Sequence, residues 1–177
     1  MEQIEVHNKI FYKLVQEDVI ISKVNELADE INNQYRNNTP PVFLCVLNGA
    51  FMFASDLIKN IQFNHYLTFI KLSSYIDDKS SGEVKTIMGL DIDLKDKDVI
   101  ILEDIIDTGL TIRKTVDLVK KAQPSSVKVA TAFLKKETFD HKTVIDYKGL
   151  EVPNHFLIGY GLDYNGFGRN LRHLYHK

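Results

Sequence analysis

Residues 99–111 read Val-Ile-Ile-Leu-Glu-Asp-Ile-Ile-Asp-Thr-Gly-Leu-Thr. The first four are apolar and mostly β-branched, which is typical of a strand that is buried on both faces. Two adjacent acids, Glu103 and Asp104, follow, and a polar turn over 107–111 leads into apolar residues at helical spacing. The stretch therefore predicts a buried strand, a ligand-holding loop and a helix.

The loop has the chemistry of a site for a sugar phosphate. Gly109 lets the backbone approach a ligand closely, Thr108 and Thr111 bring hydroxyl donors, and the helix start presents free N–H groups. The carboxylates nearby would repel a bare phosphate, so they fit only a ligand with vicinal hydroxyls or with Mg²⁺ beside its phosphate. No Gly-Lys-Ser/Thr follows, which excludes a Walker loop. The alternative is an ordinary loop whose Asp and Thr cap the next helix.

Two further strands end in polar residues. Val42–Leu47 is an apolar strand followed by Asn48 and Gly49, and a second strand–Gly turn–helix predicts a second anion site, the alternative being a tight turn without ligand. Ser126–Leu134 is another buried strand, and it ends at Lys135. Strands that alternate with helices predict a mostly parallel sheet with ligands at the carboxyl ends of its strands.

The other segments give weaker patterns. The first 20 residues predict a peripheral strand or extended segment, and apolar spacing predicts a helix from Ser22, its N-cap, to Tyr35. Residues 65–72 predict a strand, and Val84–Met88 a returning one. The polar residues 76–83 between them form either a long solvated hairpin tip or a lid over the site.

The last quarter departs from the alternating pattern. Residues 141–152 predict a short strand and turn, and Phe156–Tyr160 a short apolar strand. Residues 161–170 are dense in Gly, aromatic and Asn residues, which is unusual for a plain surface tail.

Composition narrows the class of protein. Hydrophobic residues make up 44% of the 177 residues and charged residues 26%, as in ordinary globular domains. The net charge of −2 argues against a general nucleic-acid binder. No apolar run is long enough to span a bilayer, and the polar, acidic N-terminus does not resemble a signal peptide. The single Cys45, which we expect to be buried, fits a reducing cytoplasm.

The string from Glu103 to Thr111 closely resembles the signature by which type I phosphoribosyltransferases bind phosphoribosyl pyrophosphate (PRPP), in the form of the hypoxanthine-guanine branch. The similarity extends over most of the chain. It implies transfer of the phosphoribosyl group from PRPP to N9 of hypoxanthine, and of guanine, in purine salvage. The products would be pyrophosphate and IMP or GMP. It also implies Mg²⁺ as cofactor, because the leaving group carries concentrated negative charge.

The resemblance assigns roles to the acidic loop. Asp107 would accept or share the proton on purine N7. Glu103 and Asp104 would accept hydrogen bonds from the ribose hydroxyls and hold Mg²⁺ directly or through water. The residues implied to bind the 5-phosphate are Thr108, Gly109, Leu110 and Thr111.

Other residues would bind the base and the leaving group. Lys135 would donate to O6 of the base, which selects 6-oxopurines over adenine. Asn48 and Gly49 match the pyrophosphate loop, where the family's peptide corresponding to Leu47–Asn48 is often cis and many relatives carry Lys or Arg in place of Asn. Phe156 would stack on the purine, and the backbone of Leu157 would read the edge of the ring. Asp163 would belong to the purine site and help to hold a second Mg²⁺, and Arg169 would bind pyrophosphate. Ser74 and Tyr75 would begin the lid.

The resemblance also implies the architecture. We expect an α/β fold, a mostly parallel twisted sheet flanked by helices, with a small C-terminal hood that recognises the purine. Residues 1–177 would form a single domain with its core over about 20–140, and the hood would take about 141–177 plus the N-terminal segment. Relatives form dimers or tetramers, so a homodimer or homotetramer is expected.

Two alternatives stay open from the sequence. One is a phosphoribosyltransferase for another base, such as xanthine, adenine or uracil; Lys135 and the hood aromatic disfavour adenine, whereas xanthine stays open. The other is a regulator that binds PRPP without turnover, and the lack of a basic excess speaks against action on nucleic acid.

Overall fold

The structure, a computed structural model, describes residues 2–36, 39–74, 84–88 and 91–177. Within these ranges the chain forms ten strands and three helices. The strands are β1 (Gln3–Val6), β2 (Lys9–Val15), β3 (Val42–Leu47), β4 (Tyr66–Ser74), β5 (Val84–Met88), β6 (Asp98–Ile106), β7 (Ser126–Leu134), β8 (Tyr147–Glu151), β9 (Leu157–Ile158) and β10 (Leu174–His176). The helices are α1 (Glu17–Tyr35), α2 (Phe51–Ile58) and α3 (Leu110–Lys120).

The main sheet has the mostly parallel arrangement that the sequence predicts. Over the described ranges its order is β5-β4-β3-β6-β7-β8, and all neighbouring strands are parallel except β4 and β5. The central strands β3 and β6 pair Val42 with Val99 and Cys45 with Leu102. These four side chains are fully buried. The predicted α/β fold is therefore confirmed.

Helices cover both faces of this sheet. Leu27 of α1 and Phe53 of α2 share one buried cluster with Phe43 of β3. Ile112 of α3 belongs to a second cluster, on the opposite face, with Ile101 of β6. Burial on both faces explains why the strands are continuous apolar runs rather than alternating ones.

The start of α1 differs from the prediction. The helix begins at Glu17 instead of after an N-cap at Ser22, and its N-cap residue Gln16 makes no side-chain capping hydrogen bond. The N–H of Glu17 instead donates to Nδ1 of His173, 2.9 Å away. A tertiary contact thus satisfies a donor that a capping side chain usually satisfies, and such a contact between distant residues leaves no local sequence signal.

A second, antiparallel sheet joins the two ends of the chain. As described, it has the order β1-β2-β10-β9, and we call it the hood sheet. The β1–β2 hairpin turns at His7 and Asn8, both with positive φ. Phe11, Ile158 and Tyr175 form its small core. The N-terminal segment thus contributes two strands, where the sequence predicts one strand or an extended segment.

Two predictions for the last quarter need correction. Residues 141–152 were expected to belong to the hood, but β8 pairs with β7 at the edge of the main sheet. A Cβ at Gly149 would lie 2.0 Å from the carbonyl oxygen of Ala132, so glycine permits this close pairing. The predicted strand Phe156–Tyr160 is shortened to β9, because Gly159 and Tyr160 adopt positive φ and turn the chain away.

The fold places the loops that follow β3, β6 and β7 at one edge of the main sheet, because these strands are parallel neighbours. Asn48, Asp107 and Lys135 are the first residues beyond the three strands. Among the described residues, no helix combines the length and apolarity that crossing a membrane requires.

Candidate active site

The acidic loop, residues 103–111, lines a pocket of about 280 Å³ that is formed by residues 103–112. Its first two acids, Glu103 and Asp104, were expected after the strand but still belong to β6, which ends at Ile106. Glu103 is only 6% exposed, and its Oε2 has no hydrogen-bond partner. Burial, and then the neighbouring charge of Asp104, raise the pKa of Glu103 well above its usual value. Burial also raises the pKa of Asp104, although Arg169 opposes the shift. The two adjacent acids form a site that favours a cation or hydroxyl donors.

The loop after β3 packs tightly against these acids. A Cβ at Gly49 would lie 1.3 Å from Oδ2 of Asp104, so only glycine fits this position. A Cβ at Gly161 would in turn lie 2.0 Å from the carbonyl oxygen of Gly49. The Leu47–Asn48 peptide is cis, as the resemblance implies. The structure therefore brings the predicted pyrophosphate loop, the acidic loop and the segment after β9 together.

Asp107 is held by two donors. Lys135 Nζ donates to Oδ2 at 2.7 Å, and Thr138 Oγ1 donates to Oδ1 at 2.5 Å. Burial raises the pKa of Asp107, but these hydrogen bonds and the charge of Lys135 outweigh it and bring the pKa below its ordinary value. The carboxylate is thus ionised and available as a proton acceptor near neutral pH.

The turn predicted to bind phosphate opens directly into helix α3. Gly109 has φ 87° and is the N-cap of α3. Thr108 Oγ1 accepts a hydrogen bond from the N–H of Leu110 at 3.4 Å, and Thr108, Leu110 and Thr111 are exposed. The first turn of α3 therefore presents its N–H groups and its positive dipole end to the pocket.

Asp163 and Arg169 contact each other. Arg169 Nη2 lies 2.6 Å from Asp163 Oδ1, and Arg169 Nη1 donates to the carbonyl oxygen of Gly161 at 2.7 Å. The other oxygen of Asp163 accepts a hydrogen bond from the N–H of Gly166. Residues predicted to bind Mg²⁺ and pyrophosphate thus form an ion pair here, and a ligand would compete for the groups of that pair.

The hood sheet supplies an aromatic face and an open strand edge. Phe156 is 49% exposed and meets Tyr164 edge-on at 5.6 Å between ring centroids. The N–H of Lys177 donates to the carbonyl oxygen of Phe156, and Ile158 pairs with Tyr175. Inward and outward hydrogen bonding alternate along an antiparallel strand. The N–H and carbonyl groups of Leu157, which lies between Phe156 and Ile158, therefore point to the outer edge of β9. A planar ligand stacked on Phe156 could therefore reach these backbone groups.

Two residues near Asp107 were missed by sequence reasoning. Thr138 contacts Asp107, and Asn154 Oδ1 lies 3.5 Å from Lys135 Nζ. The position of Thr138 three residues after Lys135, on the turn that leaves β7, is the signal that could have suggested it. Of the residues predicted to begin the lid, Ser74 is the last residue of β4, and Tyr75 lies outside the described residues together with residues 76–83.

Comparison with known proteins agrees with this geometry. The description "Phosphoribosyl transferase domain" belongs to a family model that matches residues 13–165. The chain is 38% identical over 172 residues to a hypoxanthine-guanine phosphoribosyltransferase of Aquifex aeolicus, with 97% of each chain covered. It is 40% identical over 162 residues to that of Bacillus subtilis, covering 91% of this chain and 89% of the relative.

A solved structure agrees as well. The crystal structure of a hypoxanthine-guanine phosphoribosyltransferase from Bacillus anthracis superposes with a TM-score of 0.87 at 34% identity, covering 94% of this chain and 98% of the other. Since sequence and fold both match over nearly the whole length, the chain belongs to the phosphoribosyl transferase family.

Proposed function

We propose that this chain is a purine-salvage enzyme that transfers the 5-phosphoribosyl group of PRPP to N9 of hypoxanthine or guanine, releasing pyrophosphate and forming IMP or GMP. The observation that carries the proposal is the 2.7 Å contact between Lys135 Nζ and Asp107 Oδ2. It joins a cation suited to a 6-oxo group and a proton acceptor beside a phosphate-binding turn. The names of the similar proteins, hypoxanthine-guanine phosphoribosyltransferases, support it.

The acidic loop would bind the sugar phosphate at its two ends. Glu103 and Asp104 would accept hydrogen bonds from the ribose 2- and 3-hydroxyls, because carboxylates are strong acceptors. The 5-phosphate would lie on the backbone and hydroxyl donors of 108–111, at the start of α3. Because the carboxylates and the phosphate donors lie on one loop, the distance between them would fix the orientation of the ribose and therefore of its C1.

Mg²⁺ is used with PRPP in this family. Among the residues that the structure describes, no three His, Cys, Asp or Glu side chains are grouped to hold a metal ion. The orphaned, buried Oε2 of Glu103 beside Asp104 nevertheless fits a hard cation, since Mg²⁺ is commonly bound by one or two carboxylates together with substrate phosphates and water. Asp163 would contribute to a second ion. Bound Mg²⁺ would neutralise charge on the leaving pyrophosphate.

The base would be bound between the hood sheet and the main sheet. Phe156 would stack on the purine, the backbone of Leu157 would read its edge, and Lys135 would donate to O6. As N9 bonds to C1 of the ribose, the bond from C1 to the pyrophosphate oxygen breaks and its electron pair leaves with pyrophosphate. Asp107 would take the proton from N7.

The leaving group would be bound by three residues. Asn48 and Gly49 would offer backbone N–H groups and the Asn48 amide, and Arg169 would bind pyrophosphate through charge-assisted hydrogen bonds. Ser74 and Tyr75 would begin a lid, and closing it would keep water from the reacting ribose.

The assembly and the compartment are proposed from surface exposure and from the state of the cysteine. We propose a homodimer or homotetramer because Leu67 and Phe69, on one face of β4, are each more than a third exposed. Exposed apolar patches commonly mark protein contacts. The cytoplasm is proposed because the one cysteine, Cys45, is buried and free.

The proposal is tested by an ultraviolet assay with PRPP, Mg²⁺ and a panel of hypoxanthine, guanine, xanthine and adenine, with pyrophosphate release measured in parallel. We expect nucleotide and pyrophosphate in equal amounts with hypoxanthine and guanine, and neither in EDTA. Faster turnover of xanthine would change the substrate assigned. PRPP binding without nucleotide from any base would reject the enzyme in favour of a regulator.

A further inference from the structure

Both carboxylate oxygens of Asp107 are occupied before any ligand binds. Lys135 donates to Oδ2 at 2.7 Å and Thr138 to Oδ1 at 2.5 Å. The hydroxyl of Thr138 has one proton, and its other acceptor, the carbonyl oxygen of Lys135, is 3.4 Å away. The shorter distance and the negative charge assign that proton to Asp107.

The backbone fixes Thr138 in this position. The N–H groups of Thr138 and Phe139 both donate to the carbonyl oxygen of Lys135, at 3.2 and 3.1 Å. Phe139 is buried in the cluster that contains Ile101 and Ile112, beside Gly109 of the predicted phosphate-binding turn. The hydroxyl therefore projects from a tight, anchored turn, whereas Lys135 reaches Asp107 with a long and flexible side chain.

Lys135 and Thr138 would behave differently toward Asp107 when a purine binds. The ammonium of Lys135 has three protons, and a 6-oxo group would take one of them, drawing Lys135 away from Asp107. Asn154 Oδ1, 3.5 Å from the ammonium, is a further acceptor on the hood side. Thr138 has no such competitor in the proposed complex, because its proton already faces the carboxylate.

We propose that Thr138 is a positioning residue for the transfer reaction: its hydroxyl fixes the orientation of Asp107 while Lys135 shifts to the 6-oxo group of the base. Nearly half of the Asp107 side chain is exposed, so the carboxylate could rotate once Lys135 leaves it. The hydrogen bond from Thr138 prevents this rotation, and the freed Oδ2 is presented to the N7 proton. This inference rests on the proposed function and adds to it a residue that acts through Asp107.

The test compares two substitutions of Thr138 that separate its hydroxyl from its shape. Thr138→Val keeps the shape and removes the hydroxyl, whereas Thr138→Ser keeps the hydroxyl and serves as the control. We expect Thr138→Val to lower kcat with hypoxanthine roughly 10- to 100-fold, as the loss of a hydrogen bond to a charged group does. Thr138→Ser should keep the wild-type kcat, and KM for PRPP should not change in either variant.

A double substitution separates positioning from general damage. In the Asp107→Asn background, Thr138→Val should lower the residual kcat no further, because the residue through which Thr138 acts is already lost. An equal loss in both backgrounds would overturn the inference, and so would a wild-type kcat in Thr138→Val or an equal fall in the serine variant. If the valine variant does not fold, Thr138→Ala is compared with Thr138→Ser by the same criteria.

Wild-type activity distinguishes the two levels of the proposal. A wild-type protein that forms no nucleotide from PRPP overturns the proposed function and this inference together. An active wild type with an unaffected Thr138→Val variant overturns the positioning role alone.

Discussion

Two carboxylates of one loop lie in opposite surroundings. Burial, and then the charge of the neighbouring Asp104, raise the pKa of Glu103, whose Oε2 has no hydrogen-bond partner. Asp107 accepts hydrogen bonds from Lys135 and Thr138, and its pKa is lowered. One loop thus offers an acid that favours a cation and a separate acid that is already ionised, which is how neighbouring carboxyl groups take different roles.

Asp107→Asn tests the proton acceptor. The amide keeps the shape of the side chain but cannot take the N7 proton, so we expect kcat to fall about 10²–10⁴-fold. The dissociation constant of PRPP should not change, because the phosphate and ribose contacts remain. Steady-state kinetics and calorimetry measure the two quantities, and an unchanged kcat would remove Asp107 from the chemistry.

Lys135→Ala tests the reading of the base. We expect KM for hypoxanthine and guanine to rise far more than KM for PRPP, since the donor to O6 is lost. Lys136→Ala is the matched control, because Lys136 is exposed and pairs with Glu151. Equal losses for both substrates, or the same effect in the control, would contradict a base-reading role.

Glu103→Gln tests the site assigned to Mg²⁺. Removing one of two adjacent buried carboxyl groups should raise the free energy of unfolding by about 1 kcal/mol in EDTA. The wild type should gain stability from Mg²⁺ with PRPP, and the variant should gain less. Thermal unfolding with and without these ligands measures both effects, and an equal gain in the two proteins would place the ion elsewhere.

At the scale of secondary-structure elements, the site forms where the turn after β3 closes on the carboxyl end of β6. Gly49 leaves room for Asp104, and Gly161 leaves room for Gly49. These close approaches bring the acidic loop, the predicted pyrophosphate loop and the segment after β9 into contact. A single added methyl group can therefore displace a binding residue without disturbing the core.

Gly49→Ala tests that close approach. The new Cβ would overlap Oδ2 of Asp104, so the carboxylate must turn away, and we expect PRPP affinity to fall about tenfold, or about 1.4 kcal/mol. Gly166→Ala is the control, because its Cβ would meet nothing within 4 Å and strains only the backbone. Affinity is measured by calorimetry, and equal affinities in both variants would show that the Gly49–Asp104 contact is dispensable.

The sequence predicts elements well where the pattern is local. The apolar runs of β3, β6 and β7 indicate buried parallel strands, and the Gly109 turn indicates an anion site, because each signal lies within about ten neighbouring residues. The start of α1 and the hydroxyl of Thr138 depend on contacts with His173 and Asp107 instead. Contacts between distant residues are set by packing, so no local pattern predicts that Glu17 meets His173. For Thr138, the sequence offers only its place three residues after Lys135, which does not identify Asp107 as its partner.

At the scale of the whole molecule, contacts between distant segments hold the hood sheet against the main sheet. Tyr160 OH donates to Asp56 Oδ2 of α2 at 2.9 Å, and Glu17 of α1 contacts His173 and Arg172. These contacts fix the segment that carries Phe156 relative to the loops of the main sheet. In the proposed complex, the fold itself would therefore set the distance between the stacked base and the bound ribose.

The most direct test is a crystal structure of the protein with inosine 5-monophosphate bound. We predict that the ribose hydroxyls lie against the carboxylates of Glu103 and Asp104, and that the phosphate lies on the backbone N–H groups of 108–111. A nucleotide bound elsewhere, or these carboxylates turned away from the sugar, would contradict the account.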